Sequence, residues 1–367
     1  MSRVTIGVVG CGYWGPNLIR NYRSLPDCHM KVMCDLDRKR LKHLQEIYPD
    51  VQACVDYQQL LADPDIDAVA IATPVRTHYP MAKEALFAGK HVFIEKPMAS
   101  SVSQCEELIA IAEHHNLTVM VGHTFIYSSA VRRVKEIVGS GDLGEIHYIC
   151  SRRLNLGLFQ QDINVTWDLA PHDISIILYI LGETPVAVNC AGSAHVSKNI
   201  EDVSTVWLSF ATKRSAIIQS SWLDPRKVRE MTIVGSKRML VYDDVAQLEK
   251  IKIFDTRVEA PPHYDTFADF HYAYHYGDMY IPHIKQEEPL KVECQHFLDC
   301  INHQEVPLSS GREGVELVRI LEACTTSLKQ NGAVVDIGGR PGAVNGVHKA
   351  GATIVSRQVN GRTSAAL

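Results

Sequence analysis

Thr5-Ile6-Gly7-Val8-Val9-Gly10-Cys11-Gly12-Tyr13-Trp14-Gly15 is the stretch on which the fold turns. A short apolar, β-branched run ends in three glycines at G-x-G-x-x-G spacing, and Asn17 to Ser24 then follows a helical pattern. In a strand-turn-helix, the first glycine permits the tight turn and the second lets backbone approach a pyrophosphate. The third lets the helix pack on the strand, and the amides at the helix N-terminus face the anion. Gly10, Gly12 and Gly15, with Tyr13 and Trp14 between them, are therefore candidate dinucleotide-binding residues.

Asp35 lies at the end of the second apolar run, 20 positions past Gly15, where an acid can hydrogen-bond both ribose hydroxyls. A carboxylate there repels a 2′-phosphate and favours NAD over NADP, while Arg38 keeps NADP open. The competing reading of Asp35 is a cap for the helix that begins at Asp37.

Outward from the turn, one phrase repeats: a β-branched or apolar run, a turn, a helical pattern. The runs are Thr5 to Val9, Met30 to Cys34, Ala68 to Ala72, His91 to Ile94 and Thr118 to Val121. Strands alternating with helices predict an α/β, doubly wound parallel sheet of Rossmann type over residues 1–123. After His123, segments near Ile146 to Ser151, Thr205 to Phe210, Ala216 to Trp222, Glu230 to Val234 and Met239 to Tyr242 follow one another with turns between. They predict an α+β domain over 124–338, its large, mostly antiparallel sheet packed on helices at about 167–181, 290–302 and 313–330. The tail 339–367, rich in Gly, Ala, Ser and Thr, has no sustained apolar period and reads as disordered or as lying on a neighbouring subunit.

Composition narrows the function. At 367 residues and 46% hydrophobic, the chain can fill two cores. A net charge of −5 with no basic block argues against nucleic acid. The apolar run Ala68 to Thr73 is far short of the roughly 20 residues of a membrane span, and no signal-peptide pattern opens the chain, so a cytoplasmic protein is expected. Ten cysteines lie mostly singly in apolar patterns with no C-x-x-C pair, and are read as reduced, buried thiols. Neither Cys294-x-His296 nor His263, His271, His275 and His283 has the spacing of a zinc site, and no metal is expected.

Two stretches carry chemistry. Glu95-Lys96-Pro97 places a lysine at the carboxyl edge of the parallel sheet, where open α/β sheets bind ligands. In Asn164-Val165-Thr166-Trp167-Asp168-Leu169-Ala170-Pro171-His172-Asp173, Asp168 and His172 are four apart and share one helix face, as an acid/base pair on a sugar hydroxyl would need. Alone, each has an ordinary reading: a solvated loop lysine, an N-cap aspartate, a satisfied helix histidine. Of the tryptophans, Trp207 and Trp222 fall in strand patterns, whereas Trp14 and Trp167 sit inside the two motifs and are expected at the cleft.

As an ordered set, Gly10-x-Gly12-x-x-Gly15, Ala72-Thr73-Pro74 with His78, Glu95-Lys96-Pro97 and Asp168-x-x-x-His172 resembles the Gfo/Idh/MocA oxidoreductases, which include glucose-fructose oxidoreductase and inositol dehydrogenase. The resemblance implies that Thr73, Pro74 and His78 line the nicotinamide side of a cleft. It further implies that Glu95 and Lys96 join cofactor to substrate, that Lys96-Pro97 is cis, and that Lys96, Asp168 and His172 carry the catalysis. Arg152-Arg153-Leu154-Asn155-Leu156-Gly157 with the following segment looks like the subgroup acting on nucleotide-linked amino sugars, including UDP-N-acetylglucosaminuronate 3-dehydrogenases. There Arg153 and Asn155 would meet substrate phosphate or carboxylate. Where the family helix often carries a further acid three residues past its histidine, this chain has Ser175, with Asp173 beside His172. The implied activity is an NAD(P)-dependent sugar dehydrogenase, a homodimer or homotetramer. Its substrate is a small sugar, expected to be UDP-linked. An inositol-like polyol, 3-ketoreduction of a deoxysugar and a non-catalytic nucleotide sensor are the alternatives.

Overall fold

The computed structural model describes residues 3–259 and 272–337. Its first sheet has six parallel strands in the order β3-β2-β1-β4-β5-β6: β1 (Val4–Val9), β2 (Cys28–Cys34), β3 (Gln52–Cys54), β4 (Ala68–Ile71), β5 (His91–Glu95) and β6 (Val119–Gly122). Helices α1 (Gly15–Ser24), α2 (Arg38–Ile47), α3 (Tyr57–Ala62), α4 (Val75–Phe87) and α5 (Val102–His115) alternate with them. Both faces are covered, so the central strands read as continuous apolar runs; all four residues of β4 are buried. The strand order reverses direction between β1 and β4, and that switch point opens a crevice at the strands' carboxyl ends. Gly10 follows β1 and Ala72 follows β4, which puts the glycine turn at the crevice.

After the short α6 (Ser129–Gly139), a nine-stranded sheet runs in the order β14-β13-β12-β11-β7-β10-β9-β8-β15. Its strands are β7 (Ile146–Leu156), β8 (Ala187–Ser193), β9 (Val203–Ser209), β10 (Ser215–Ser221), β11 (Leu223–Gly235), β12 (Met239–Asp243), β13 (Ile251–Glu259), β14 (Ala273–Tyr280) and β15 (Val335–Asp336). All its neighbours pair antiparallel except β7 with β10. Along β9 buried and exposed residues alternate strictly, Val206 and Leu208 facing in and Trp207 out. The inner face packs on α7 (Val165–Leu181) through Ile174, Ile177 and Ile180. Asn164 caps α7 by accepting from the Trp167 amide at 3.1 Å, and Gly182, at φ 63°, ends it in the left-handed region.

The last helices sit differently from the expectation. α8 (Pro289–His303) packs Leu290, Cys294, Phe297 and Leu298 into the core that holds Tyr22, Phe93 and Met120 of the parallel sheet. α9 (Gly311–Lys329) is divided, with Val315 and Val318 toward the parallel sheet and Leu317, Ile320, Leu321 and Cys324 toward the other. The cause lies in α9's sequence, whose apolar positions span more than one face and so serve two cores. Strands β8, β13 and β14 also went unforeseen, because polar and small residues interrupt their alternation.

All ten cysteines are free, and nine are buried. No group of His, Cys, Asp and Glu among the described residues is arranged to hold a metal. His275 instead lies 3.1 Å from Asp255, and the His296 Nε2 accepts from the Leu308 amide at 3.0 Å; His263 and His271 fall outside the described residues, as does the tail 339–367. No described helix is long and apolar enough to cross a membrane.

One buried ion pair ties the second sheet to its helix. Arg153 of β7 donates to Asp173 of α7 at 2.5 and 3.2 Å, and Ser151 donates to the same carboxylate at 2.7 Å. Both charged side chains are 5% exposed. Removing one partner strands the other without solvent, so Asp173→Ala is expected to cost about 3–5 kcal/mol in urea denaturation. A loss under about 1 kcal/mol, the value of a surface pair, would mean that this pair does not hold α7.

Candidate active site

The crevice at the strand ends widens into a cleft of about 1260 Å³ that runs on to the second sheet. That volume exceeds the roughly 300–1,000 Å³ of ordinary ligand pockets, and suits a dinucleotide together with a second molecule. The three glycines divide the work at its floor. Gly10 has φ 91°, and a Cβ there would stand 2.6 Å from the Ala72 oxygen. A Cβ on Gly15 would stand 1.9 Å from the Gly10 oxygen. At Gly12 the nearest atom to a Cβ is Arg40 Nη1 at 3.8 Å, which leaves open space for a ligand to meet backbone. This arrangement fits a pyrophosphate at the start of α1. Tyr13 and Trp14 border the cleft, with Thr73, Pro74 and His78 on the same side.

Asp35 stands at the end of β2 and accepts from the Cys11 amide at 2.7 Å and the Asp37 amide at 2.7 Å. The cap of α2 is Asp37, which accepts from Lys39 and Arg40, so Asp35 does not cap it. Arg40, 3.8 Å from Asp35, is the arginine that reaches the turn; Arg38, at the start of α2, is exposed. Helical spacing explains the difference, since Arg40 lies further round α2.

His78 is buried, with Nδ1 2.9 Å from the Pro97 oxygen and Nε2 2.7 Å from the Thr73 oxygen. It thereby fixes the loop after β4 to the loop after β5. The Lys96-Pro97 peptide is cis. Burial holds the imidazole below its ordinary range. Glu95 lines the cleft, its carboxyl raised to about 7 by burial despite the attraction of Lys96. A Cβ on Gly122 would come within 3.0 Å of that carboxyl, so the glycine makes room for it.

Lys96 Nζ donates to the Asp168 backbone oxygen at 2.8 Å and lies 3.6 Å from the Asp168 carboxylate. Burial pushes its ammonium below the usual lysine range, against the pull of Asp168 and Glu95. The other oxygen of Asp168 accepts from Trp222 Nε1 at 3.0 Å. His172, one turn on, also faces the cleft. Its ring meets Phe125 at 5.0 Å between centroids, and its Nδ1 is enclosed without a partner among the described residues. Burial first, then the cations Lys96, Arg153 and Arg229, holds it well below the ordinary histidine range. Lys96, Asp168 and His172 thus meet in one place, with a neutral imidazole beside a desolvated ammonium.

Asn155 lines the same cleft, but Arg153 is buried against Asp173 and Phe125 and is not on the cleft wall. The tryptophans exchange places: Trp222 borders the cleft, whereas Trp167 donates to Thr325 and packs in the core. The strand pattern predicts Trp222 buried but cannot say that its N–H meets Asp168. Two further residues escaped the sequence reading. Phe125 is the surface on which His172 rests, and His123, 2% exposed, has neither ring nitrogen partnered among the described residues. Burial and Lys96 lower His123 to about 4. Its signal was available, because it follows β6 at the same sheet edge where Lys96 follows β5.

The description of the GFO/IDH/MocA oxidoreductase family's NAD-binding Rossmann fold matches residues 4–123, and that of its C-terminal domain matches 131–241. The chain belongs to this family. It is an oxidoreductase with an NAD-binding Rossmann domain. It is 25% identical over 350 residues to the myo-inositol 2-dehydrogenase of Thermotoga maritima, covering 90% of this chain and 97% of that one. It is 28% identical over 251 residues to the UDP-N-acetylglucosamine 3-dehydrogenase of Acidithiobacillus ferrooxidans, covering 66% and 75%. An oxidoreductase from Agrobacterium radiobacter, solved with NAD+, L-tartaric acid and magnesium, shares the fold at a TM-score of 0.77 and 20% identity, covering 92% and 99%.

The glycine geometry separates binding from folding. Gly12→Ala is expected to keep the stability of the parent while weakening NAD about tenfold or more, the effect of pushing one charge-assisted contact apart. Gly15→Ala is expected to lose about 3 kcal/mol from forced overpacking. Denaturation and NAD titration of both variants check this; the reverse pattern would refute the division of roles.

Proposed function

We propose that the protein catalyses hydride transfer between a secondary ring alcohol of a sugar and NAD, acting at C3 of a nucleotide-linked (UDP) amino sugar or uronate. The observation that supports it most is the meeting of Lys96, Asp168 and His172 in a cleft with room for more than a dinucleotide. The aligned relatives that act on UDP-N-acetylglucosamine and on myo-inositol bracket the substrate class. An inositol-like free polyol is the second reading, favoured by the longer alignment.

Bound NAD supplies the carbon that accepts the hydride. The chain's own residues handle the proton and the charge. His172, neutral because burial and three neighbouring cations oppose its protonation, takes the hydroxyl proton as general base. Lys96 stabilises the oxygen as it becomes negative, an interaction strengthened by the low-polarity surroundings. Asp168 keeps the ammonium in place and is itself held by Trp222. In the reverse direction the same residues return the proton to a ketone. A nucleotide sensor needs neither buried group, so retention of both speaks for catalysis. The exposed outer face of the second sheet, bearing Tyr148 and Trp207, suits contact between copies, and light scattering should give a dimer or tetramer.

Lys96→Ala and His172→Ala should each lower kcat by about 100-fold or more while NAD affinity changes far less. Assay against a panel of UDP-sugars and inositols identifies the substrate, and near-normal rates in both variants would refute the assignment. The pH profile gives a separate check. In oxidation the active imidazole is neutral, so kcat/KM should hold level down through the ordinary histidine range near ~6.5 and fall only below it. Measurement in Glu95→Gln removes the carboxyl that titrates at about 7. An acid limb at about 6.5 in that variant would contradict the role of a depressed His172.

A further inference from the structure

Arg229 stands on the cleft wall in an electrostatic position that the protein itself leaves incomplete. The register of β7 with β11 sets Arg153 directly opposite Arg229, an arrangement of like charges that costs stability. Their guanidinium carbons lie 4.7 and 5.6 Å from the Phe125 ring centroid. Arg153 is compensated by two hydrogen bonds to buried Asp173. Among the described residues Arg229 pairs with Asp244 alone, at 3.4 Å, and that carboxylate also faces Lys250 at 3.7 Å and accepts from the Tyr242 hydroxyl at 3.1 Å. Lys227 lines the same wall. One Arg153 nitrogen, Nη1, is buried with no partner among the described residues. Asp244 is thus shared between Arg229 and Lys250, with Lys227 near on the same cleft lining.

The same Phe125 carries the His172 ring at 5.0 Å. A sugar whose reacting hydroxyl meets His172 therefore has another part of its ring one aromatic side chain away from Arg229. A guanidinium at such a point suits a planar, two-oxygen anion, which it can hold by parallel hydrogen bonds.

We propose that Arg229, with Lys227 beside it, recognises an anionic oxygen group of the sugar substrate: a ring carboxylate, as in a uronate, or a phosphate of the nucleotide linkage. This deepens the reading of the cleft as a sugar site and rests on it. Arg229 acts on specificity; it neither gives nor takes the proton, and its charge reaches His172 only as one of several causes, after burial and Lys96, that keep the imidazole neutral.

The test compares wild type with Arg229→Gln and Arg229→Lys on three substrates. UDP-N-acetylglucosaminuronate carries carboxylate and pyrophosphate, UDP-N-acetylglucosamine carries pyrophosphate alone, and myo-inositol carries neither. In Arg229→Gln, KM for the anionic substrate should rise about tenfold or more relative to inositol, as when one charge-assisted hydrogen bond is lost. kcat should move much less, and Arg229→Lys should recover part of the loss. A rise confined to the uronate assigns the carboxylate, and an equal rise for both UDP-sugars assigns the phosphate. Equal effects on all three substrates, or a fall in kcat with KM unchanged, would overturn the proposal and leave Arg229 a structural residue. Should wild type turn over no sugar, the reading of the reaction fails separately. Binding of glucuronate, glucose 1-phosphate and glucose to the NAD complex then decides Arg229. Tighter binding of either anion, lost in Arg229→Gln, supports the proposal; no preference for an anion, or one that survives in Arg229→Gln, overturns it.

Discussion

The ammonium of Lys96 rests 2.8 Å from the backbone oxygen of Asp168, with the Asp168 carboxylate at 3.6 Å. Its own strand, β5, belongs to the parallel sheet, and its partner lies in the first turns of α7, which packs on the other sheet. A cation withdrawn from water is tolerated only where fixed oxygens replace its hydration. The two sheets must therefore stay in one relation for Lys96 to stay paired. Trp222, at the end of β10, extends the constraint by holding the second oxygen of Asp168. Three elements from distant parts of the chain are thereby committed to one point.

Around that point the protein accumulates positive charge and excludes water, and the chemistry follows from both. Lys96, Arg153 and Arg229 lower the proton affinity of His172, as does burial. The imidazole is kept neutral, and on the proposed function it accepts the hydroxyl proton while the Lys96 ammonium meets the negative oxygen that results. Asp173, which in sequence merely adjoins the histidine, contributes by neutralising Arg153 beneath Phe125. Without it two paired arginines would face each other across β7 and β11 with little to balance them.

What the sequence made legible was local or periodic. The glycine turn could be read because each glycine answers a steric demand set within a few residues, and the structure assigns Gly10, Gly12 and Gly15 separate surroundings. The parallel sheet was legible from its repeated apolar runs, and Asp168 and His172 from helical spacing. What could not be read was pairing across the fold. Arg153 sits in the same kind of alternating strand as a surface arginine, and only the arrival of Asp173 buries it. Trp222 and Trp167 each sit in plausible patterns, and tertiary packing decides which one meets the cleft. α8 reads as an amphipathic helix, a pattern that does not name the sheet it will cover.

On the proposed function, Lys96, Asp168 and His172 act at a sugar carbon that loses its hydrogen to the cofactor. Turnover of a UDP-sugar deuterated only at C3, with NAD and wild-type enzyme, tests this most directly. Deuterium in the nicotinamide ring of the product NADH, with a slowed rate relative to the unlabelled sugar, is the predicted result. NADH formed without deuterium would move the chemistry to another carbon, and tight binding of NAD and sugar with no NADH formed would contradict catalysis at this site.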